Sequence, residues 1–170
     1  MNLHTLPRTF HLTRHGQSEY NLLGKIGGDS GLSHNGVEYA RRLANYAEES
    51  IGTKTIIDEN GNEIKKPVAG RLWTSTLRRT NETAQFIKHN TIEETFDNGE
   101  THKWVQFRQN KRRNLDELYA GTCDGMTYKE IEEHHPEEFA ARQSDKLSYR
   151  YPRGKKCLSD FINKRKNSYN

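Results

Sequence analysis

Residues 12–21 read LTRHGQSEYN, with arginine, histidine and glycine in succession after a short alternating run. That run, RTFHLT at residues 8–13, has the period-two pattern of a strand. The following stretch, residues 14–36, holds six glycines, a density that marks loops and close backbone approach. Further along, short apolar runs alternate with segments of helical spacing, which predicts an α/β fold with a largely parallel sheet. Ligands in such sheets sit beyond the carboxyl ends of the strands. Arg14 and His15 fall at such a strand end, so the trio is a candidate reaction centre. A neutral imidazole is a competent nucleophile toward phosphorus when one ring nitrogen is held by a hydrogen bond and the other is free. A neighbouring guanidinium offers a fork of donors to phosphoryl oxygens. Phosphoryl transfer asks mainly for positioning and charge neutralisation, which these residue types supply.

Composition bounds the rest. A chain of 170 residues suits one domain. Only 31% of residues are hydrophobic and the mean hydropathy is −1.09, so core-forming residues are scarce. Basic residues number 27 against 23 acidic, a net charge of +4 that fits a small anionic substrate. The two cysteines, Cys123 and Cys157, form neither a disulfide framework nor a CxxC pattern, which points to a reducing compartment. The first ten residues lack the apolar run of a signal peptide, and no run approaches the roughly 20 residues of a membrane span. A cytoplasmic location without membrane contact is the expectation.

Ser33 is placed to cap a helix over residues 37–50, with Val37, Ala40, Leu43, Ala44 and Ala47 at helical spacing. Asn60-Gly61 reads as a hairpin tip within a polar insertion. Residues 71–75 read as a short strand and 76–88 as a helix. Residues 89–114 read as loop with one strand at 104–107. Two further helices are expected at 127–134, stopped by Pro136, and at 137–146. No internal repeat stands out. The basic cluster RQNKRR at 108–113 lacks interleaved aromatics, so nucleic acid is not the expected partner. His134 and His135 read as helix-end residues, and no spaced His/Cys/Asp set predicts a metal.

TRHGQSEYN and WTSTLRRTNETA together resemble the signature of the histidine phosphatase superfamily, the phosphoglycerate-mutase-like fold, in which this histidine becomes phosphorylated. GKIGGDSGLS, LYAGTCDGMTYKEIEEHHPEEFAAR and DKLSYRYPRG resemble, more narrowly, the fructose-2,6-bisphosphatase halves of bifunctional sugar-phosphate enzymes. The likeness runs over about residues 8–154, with an unmatched region at about 51–114. It implies a three-layer sandwich with a mostly parallel central sheet, apparently truncated at its C-terminus. Residues 1–170 would form a single, partial histidine phosphatase domain.

The resemblance also implies roles. His15 would be the nucleophile, with Arg14 and Arg79 neutralising the phosphoryl group. Arg78 is the other candidate in LRRT, but the family's arginine directly precedes the threonine. Glu117 would protonate the leaving sugar oxygen, a role suited to a carboxyl of raised pKa. Asn21 would donate to the same phosphate, and Ile26 and Gly27 would meet the sugar through backbone. Tyr128, Arg142, Lys146 and Arg150 would hold a second phosphate; Arg142 and Lys146 share a face if their helix persists. Asp29 and Ser30 read as loop structure. The implied activity is removal of the 2-phosphate of fructose 2,6-bisphosphate through a phosphohistidine, giving fructose 6-phosphate, without cofactor or metal. The partner is a small phosphosugar.

The family pattern continues past YRYPRG to a second catalytic histidine, followed by a glutamine and an arginine. KKCLSDFINKRKNSYN, residues 155–170, holds no histidine. Activity impaired by truncation is therefore the expectation. An inactive phosphosugar-binding relative and a broader sugar-phosphate phosphatase or mutase of the superfamily are the alternatives. No G-x-x-x-x-G-K-[ST] loop occurs, so no kinase domain is expected.

Overall fold

The computed structural model describes residues 8–96, 98–146 and 148–154. The segment 155–170, with Cys157, lies outside them, and so does the expectation of an incomplete C-terminal part. Ser18 opens helix α1, Glu19–Leu22, with a capping box completed by Asn21. Ser33 caps α2, His34–Tyr46, by accepting from the Gly36 N–H, and α2 runs on into a π turn, Ala47–Ile51. Strands β1, Thr53–Ile57, and β2, Glu63–Pro67, form an antiparallel hairpin. Strand β3, Leu72–Thr74, leads into α3, Arg78–Ala84. A second hairpin follows, β4, Thr91–Thr95, with β5, Thr101–Val105. Strand β6, Gln109–Lys111, returns to pair in parallel with β3, in the register Leu72↔Gln109 to Thr74↔Lys111. Helices α4, Tyr128–His134, and α5, Pro136–Ser144, close the described chain.

The α/β reading holds, with helices packed beside a parallel strand pair whose carboxyl ends lead toward Arg79 and Arg112, but the largely parallel sheet expected is, among the described residues, that one pair, and the other two sheets are antiparallel hairpins. The core lies between α2, α3 and β6. Ala44, Ala47, Ala84, Ile87 and Phe107 are buried together, with Ile51, Leu72 and Phe86 packed against them. Alanines dominate because α2 and α3 approach closely, which agrees with the low mean hydropathy.

Several local expectations are corrected. Residues 8–13 alternate as a strand should, yet they form no ladder, and Phe10 and Leu12 stand 81% and 95% exposed. Alternation specifies one apolar face; only a hydrogen-bonding neighbour makes a strand. The helix expected over 76–88 is shorter, because Ser75 and Thr76 turn the chain before Leu77 serves as its N-cap. The region 89–114, expected as loop with one strand, holds a full hairpin and β6; Gly99, with φ +80°, supplies its turn as Gly61, with φ +83°, supplies the first. Pro136 ends α4 and also begins α5, where its missing N–H costs nothing. Helix α5 stops at Ser144, so Lys146 falls beyond it and does not share a helix face with Arg142.

Candidate active site

His15 sits in the extended connection before α1, half-buried. Its Nδ1 lies 2.7 Å from the Gly16 carbonyl oxygen. A carbonyl only accepts, so Nδ1 carries the proton and Nε2 keeps its lone pair. Glycine is required next in the chain: a Cβ on residue 16 would stand 2.6 Å from the Gly36 carbonyl oxygen in the first turn of α2. Burial, first, and then the charges of Arg79 and Arg14 hold the imidazole pKa below its ordinary value of 6.5; the Gly16 carbonyl and Glu117 oppose them in part. The ring is thus kept neutral beside two guanidinium groups.

Arg79 is in the first turn of α3 and only 3% exposed. A buried guanidinium needs partners, and it has two: Nη1 donates to the Gly28 carbonyl at 2.8 Å and Nη2 to Glu117 Oε2 at 2.5 Å. Arg78 points elsewhere, pairing at the surface with Glu82 at 2.6 Å. Glu117 itself is 59% exposed at its side chain, on a loop anchored by its neighbour Asp116. Asp116 accepts from the Thr76 N–H at 2.7 Å, which ties that loop to the carboxyl end of β3. His15, Arg14, Arg79 and Glu117 are therefore brought within electrostatic reach of one another.

The loop at 24–31 forms one wall. Asp29 accepts from the Arg78 N–H and so sits at the N-terminus of α3, while the Ser30 hydroxyl accepts from the Tyr20 N–H. Asp124 accepts from the Gly28 N–H with both oxygens at 3.1 Å. Gly27 has φ +65°, and a Cβ there would come 2.9 Å from Asp124 Cγ. Ile26 donates to the Met126 carbonyl and accepts from the Gly125 N–H, so its backbone is largely committed to that neighbour. The Asn21 side-chain oxygen is committed to the α1 cap, accepting from the Ser18 N–H; the donor role expected of it falls to its NH₂.

A second cluster forms around α4 and α5. Arg142 Nη2 donates to the Tyr128 hydroxyl at 2.8 Å and its guanidinium lies 4.7 Å from that ring's centroid. Tyr151 joins them, with its pKa raised by burial and lowered in part by Arg142. Tyr149 donates to Glu138. Lys146 and Arg150 are exposed nearby in the chain. The segment 119–127 links the clusters, bonding to Ile26 on one side and, through Thr122, to the Pro152 carbonyl on the other. Sequence reasoning missed Asp116, Asp124, Thr83 and Tyr151. The first three bond to partners 40 to 96 positions away, and nothing local marks such pairs. Among the described residues no group of three His, Cys, Asp or Glu could hold a metal ion, and no helix is long and apolar enough to cross a membrane.

A neutral imidazole, a buried guanidinium and a paired carboxylate at the carboxyl end of a parallel strand define a phosphoryl-transfer class of site. The chain belongs to the histidine phosphatase superfamily (branch 1), whose pattern matches residues 10–167. It is 42% identical over 158 residues to the 6-phosphofructo-2-kinase/fructose-2,6-bisphosphatase of Arabidopsis thaliana, covering 93% of this chain and 17% of that protein. It is 41% identical over 162 residues to the fructose-2,6-bisphosphatase of Saccharomyces cerevisiae, covering 95% of this chain and 28% of that one. The chain thus spans under a third of the length of the curated relatives it matches. The fold is similar to that of a mycobacterial glucosyl-3-phosphoglycerate phosphatase, with a TM-score of 0.55 at 20% identity over 84% of this chain and 54% of the other. It is also similar to a phosphoglycerate mutase from Thermus thermophilus, with a TM-score of 0.51 at 19% identity over 87% and 63%.

Proposed function

We propose that this chain is a phosphatase that removes the 2-phosphate of fructose 2,6-bisphosphate through a phosphohistidine at His15. The observation that carries the reading is the proton fixed on Nδ1 by the Gly16 carbonyl, which leaves the Nε2 lone pair available within electrostatic reach of Arg79. Its likeness to fructose-2,6-bisphosphatases supports the choice of sugar. Nε2 attacks the phosphorus of the 2-phosphate while Arg14, Arg79 and the Asn21 amide neutralise the equatorial oxygens. The bond to the sugar's 2-oxygen breaks, and that oxygen takes a proton from Glu117, which acts here in its acid form once the substrate phosphate has displaced it from the ion pair with Arg79, releasing fructose 6-phosphate. Water then attacks the phosphohistidine, gives its proton to the Glu117 carboxylate, and frees phosphate and the imidazole. Ile26 and Gly27 line the sugar, and Tyr128, Arg142, Lys146 and Arg150 receive the 6-phosphate. The reaction uses no cofactor, and the setting is cytoplasmic sugar-phosphate metabolism without nucleic acid or membrane. Residues 10–167, the stretch the family pattern matches, are read as one histidine phosphatase domain with an insertion or divergent region at about 51–114.

The test is product analysis. Fructose 2,6-bisphosphate should yield phosphate and fructose 6-phosphate in equal amounts, while fructose 1,6-bisphosphate is spared. Equal attack on both sugars would favour the broader phosphatase reading. Uptake of phosphate without release would mark the impaired relative.

A further inference from the structure

We infer that Thr83 is a positioning residue for the nucleophile, its single hydroxyl setting the His15 loop against the helix that carries Arg79. The inference rests on the phosphohistidine reading above and gives a role to a residue that lies within WTSTLRRTNETA but to which the resemblance assigned none. Thr83 lies in the last turn of α3, 4% exposed. Its Oγ1 donates to the Arg79 carbonyl at 2.7 Å. The hydroxyl's one proton is thereby used, so the oxygen can only accept from the Gly16 N–H, 3.0 Å away. The bond to Arg79 alone would be ordinary, since threonines in helices often bond back to the carbonyl four residues earlier. The bond to Gly16 is different in kind: it spans 67 positions and ends on the residue whose carbonyl fixes the His15 tautomer.

Three links therefore run in series, from the Arg79 backbone through Thr83 and Gly16 to the imidazole. Gly16 has no slack to compensate, being packed against the first turn of α2 on its other side. Without the hydroxyl, the buried Gly16 N–H loses its partner, and the loop relaxes to find another. The imidazole then moves relative to Arg79, and misplacement by about 1 Å costs on the order of 100-fold in such reactions.

The experiment compares the full chain with Thr83→Val, which keeps shape and loses the hydroxyl, and Thr83→Ser, which keeps the hydroxyl. Transfer of label from fructose 2,6-bisphosphate, labelled at the 2-phosphate, to acid-labile protein phosphate is timed across sugar concentrations. Thr83→Val should transfer about 10- to 100-fold more slowly, with the half-saturating concentration within about twofold of the parent. Thr83→Ser should stay close to the parent. By NMR, the His15 titration in Thr83→Val should move up toward the ordinary histidine value as the ring withdraws from Arg79; a purely structural threonine would lower melting temperature and leave that titration in place. If Thr83→Val does not fold, Thr83→Cys, whose thiol bonds weakly, should show the same split at smaller amplitude. Transfer by Thr83→Val at the parental rate, or failure of Thr83→Ser to restore it, overturns the inference alone. A parent chain that takes up no label overturns the phosphohistidine reading and this inference with it.

Discussion

The 2.7 Å approach of His15 Nδ1 to a carbonyl oxygen fixes which nitrogen of the ring can react, and burial with two guanidinium neighbours fixes its charge. Burial and the two guanidinium charges outweigh the Gly16 carbonyl, which favours the protonated ring, so the folded pKa lies below 6.5 and the nucleophile stays competent through mildly acidic pH. The acid limb of the rate of His15 phosphorylation should therefore fall below pH 6.5. Arg14→Ala removes a nearby positive charge and should move that limb upward; Glu117→Gln removes a negative one and should move it downward. NMR titration of the imidazole checks both signs. Linkage gives the matching stability effect: a histidine whose folded pKa is depressed contributes stability above its unfolded pKa, and this is lost as pH falls through the folded value. At this scale much was legible. His15 and Arg14 stood out because phosphoryl chemistry narrows the residue types, whereas Arg79 was reached through the family resemblance. Asp124 and Thr83 did not, because an acceptor that serves a distant backbone N–H leaves no local pattern.

Polar contacts tie the loop at 24–31 to its neighbours: Asp29 accepts from the Arg78 N–H of α3, the Gly28 carbonyl accepts from Arg79, Asp124 in the 119–127 segment accepts from the Gly28 N–H, and just past the loop Glu82 accepts from the Leu32 N–H. Such loops are cheap to loosen without unfolding the domain. Asp124→Ala should cost about 1.5–3 kcal/mol in stability, the usual worth of a bond to a charged acceptor, and weaken sugar-phosphate affinity several-fold. Ser33→Ala, which removes the α2 cap, should cost about 1 kcal/mol in stability and leave affinity unchanged. Denaturant titration together with KM measurement separates the two. The helices were readable in the sequence because caps and apolar spacing are local signals; Ser33 caps where it was expected to, and Thr127, expected as the first helical residue, caps α4. The hairpin at 91–105 was read as loop with one strand although Asn98-Gly99 carries the same turn signal as Asn60-Gly61, since its one apolar pair, Ile92 opposite Trp104, stands among polar residues such as Glu93 and Lys103. The run at 8–13 shows the opposite failure, a strand pattern with no partner among the described residues.

Across the whole molecule, function and insertion occupy opposite ends of the parallel strands. The residues after β3 carry Arg79 and Thr76, whereas the residues before β3 and β6 anchor both hairpins. Buried Gln106 is the anchor: its side chain donates to the Gly52 and Val68 carbonyls at 2.6 and 2.7 Å, and its backbone N–H donates to Asn90. Gln106→Ala orphans those bonds and should destabilise the domain by about 1–3 kcal/mol, read by thermal or chemical denaturation, without slowing phosphorylation of His15. A scarcity of core-forming residues was foreseeable from composition, but not that alanines would dominate the core, nor the two-ended layout, which depends on pairings across tens of residues.

The central claim is that the free nitrogen of His15 accepts a phosphoryl group. The direct measurement is to react the chain with fructose 2,6-bisphosphate labelled at the 2-phosphate, quench in alkali, digest, and locate the label by mass spectrometry. The account predicts acid-labile, alkali-stable label on the peptide containing residue 15, at His15, and none in His15→Ala. Label on another residue, or label that persists in His15→Ala, would contradict it.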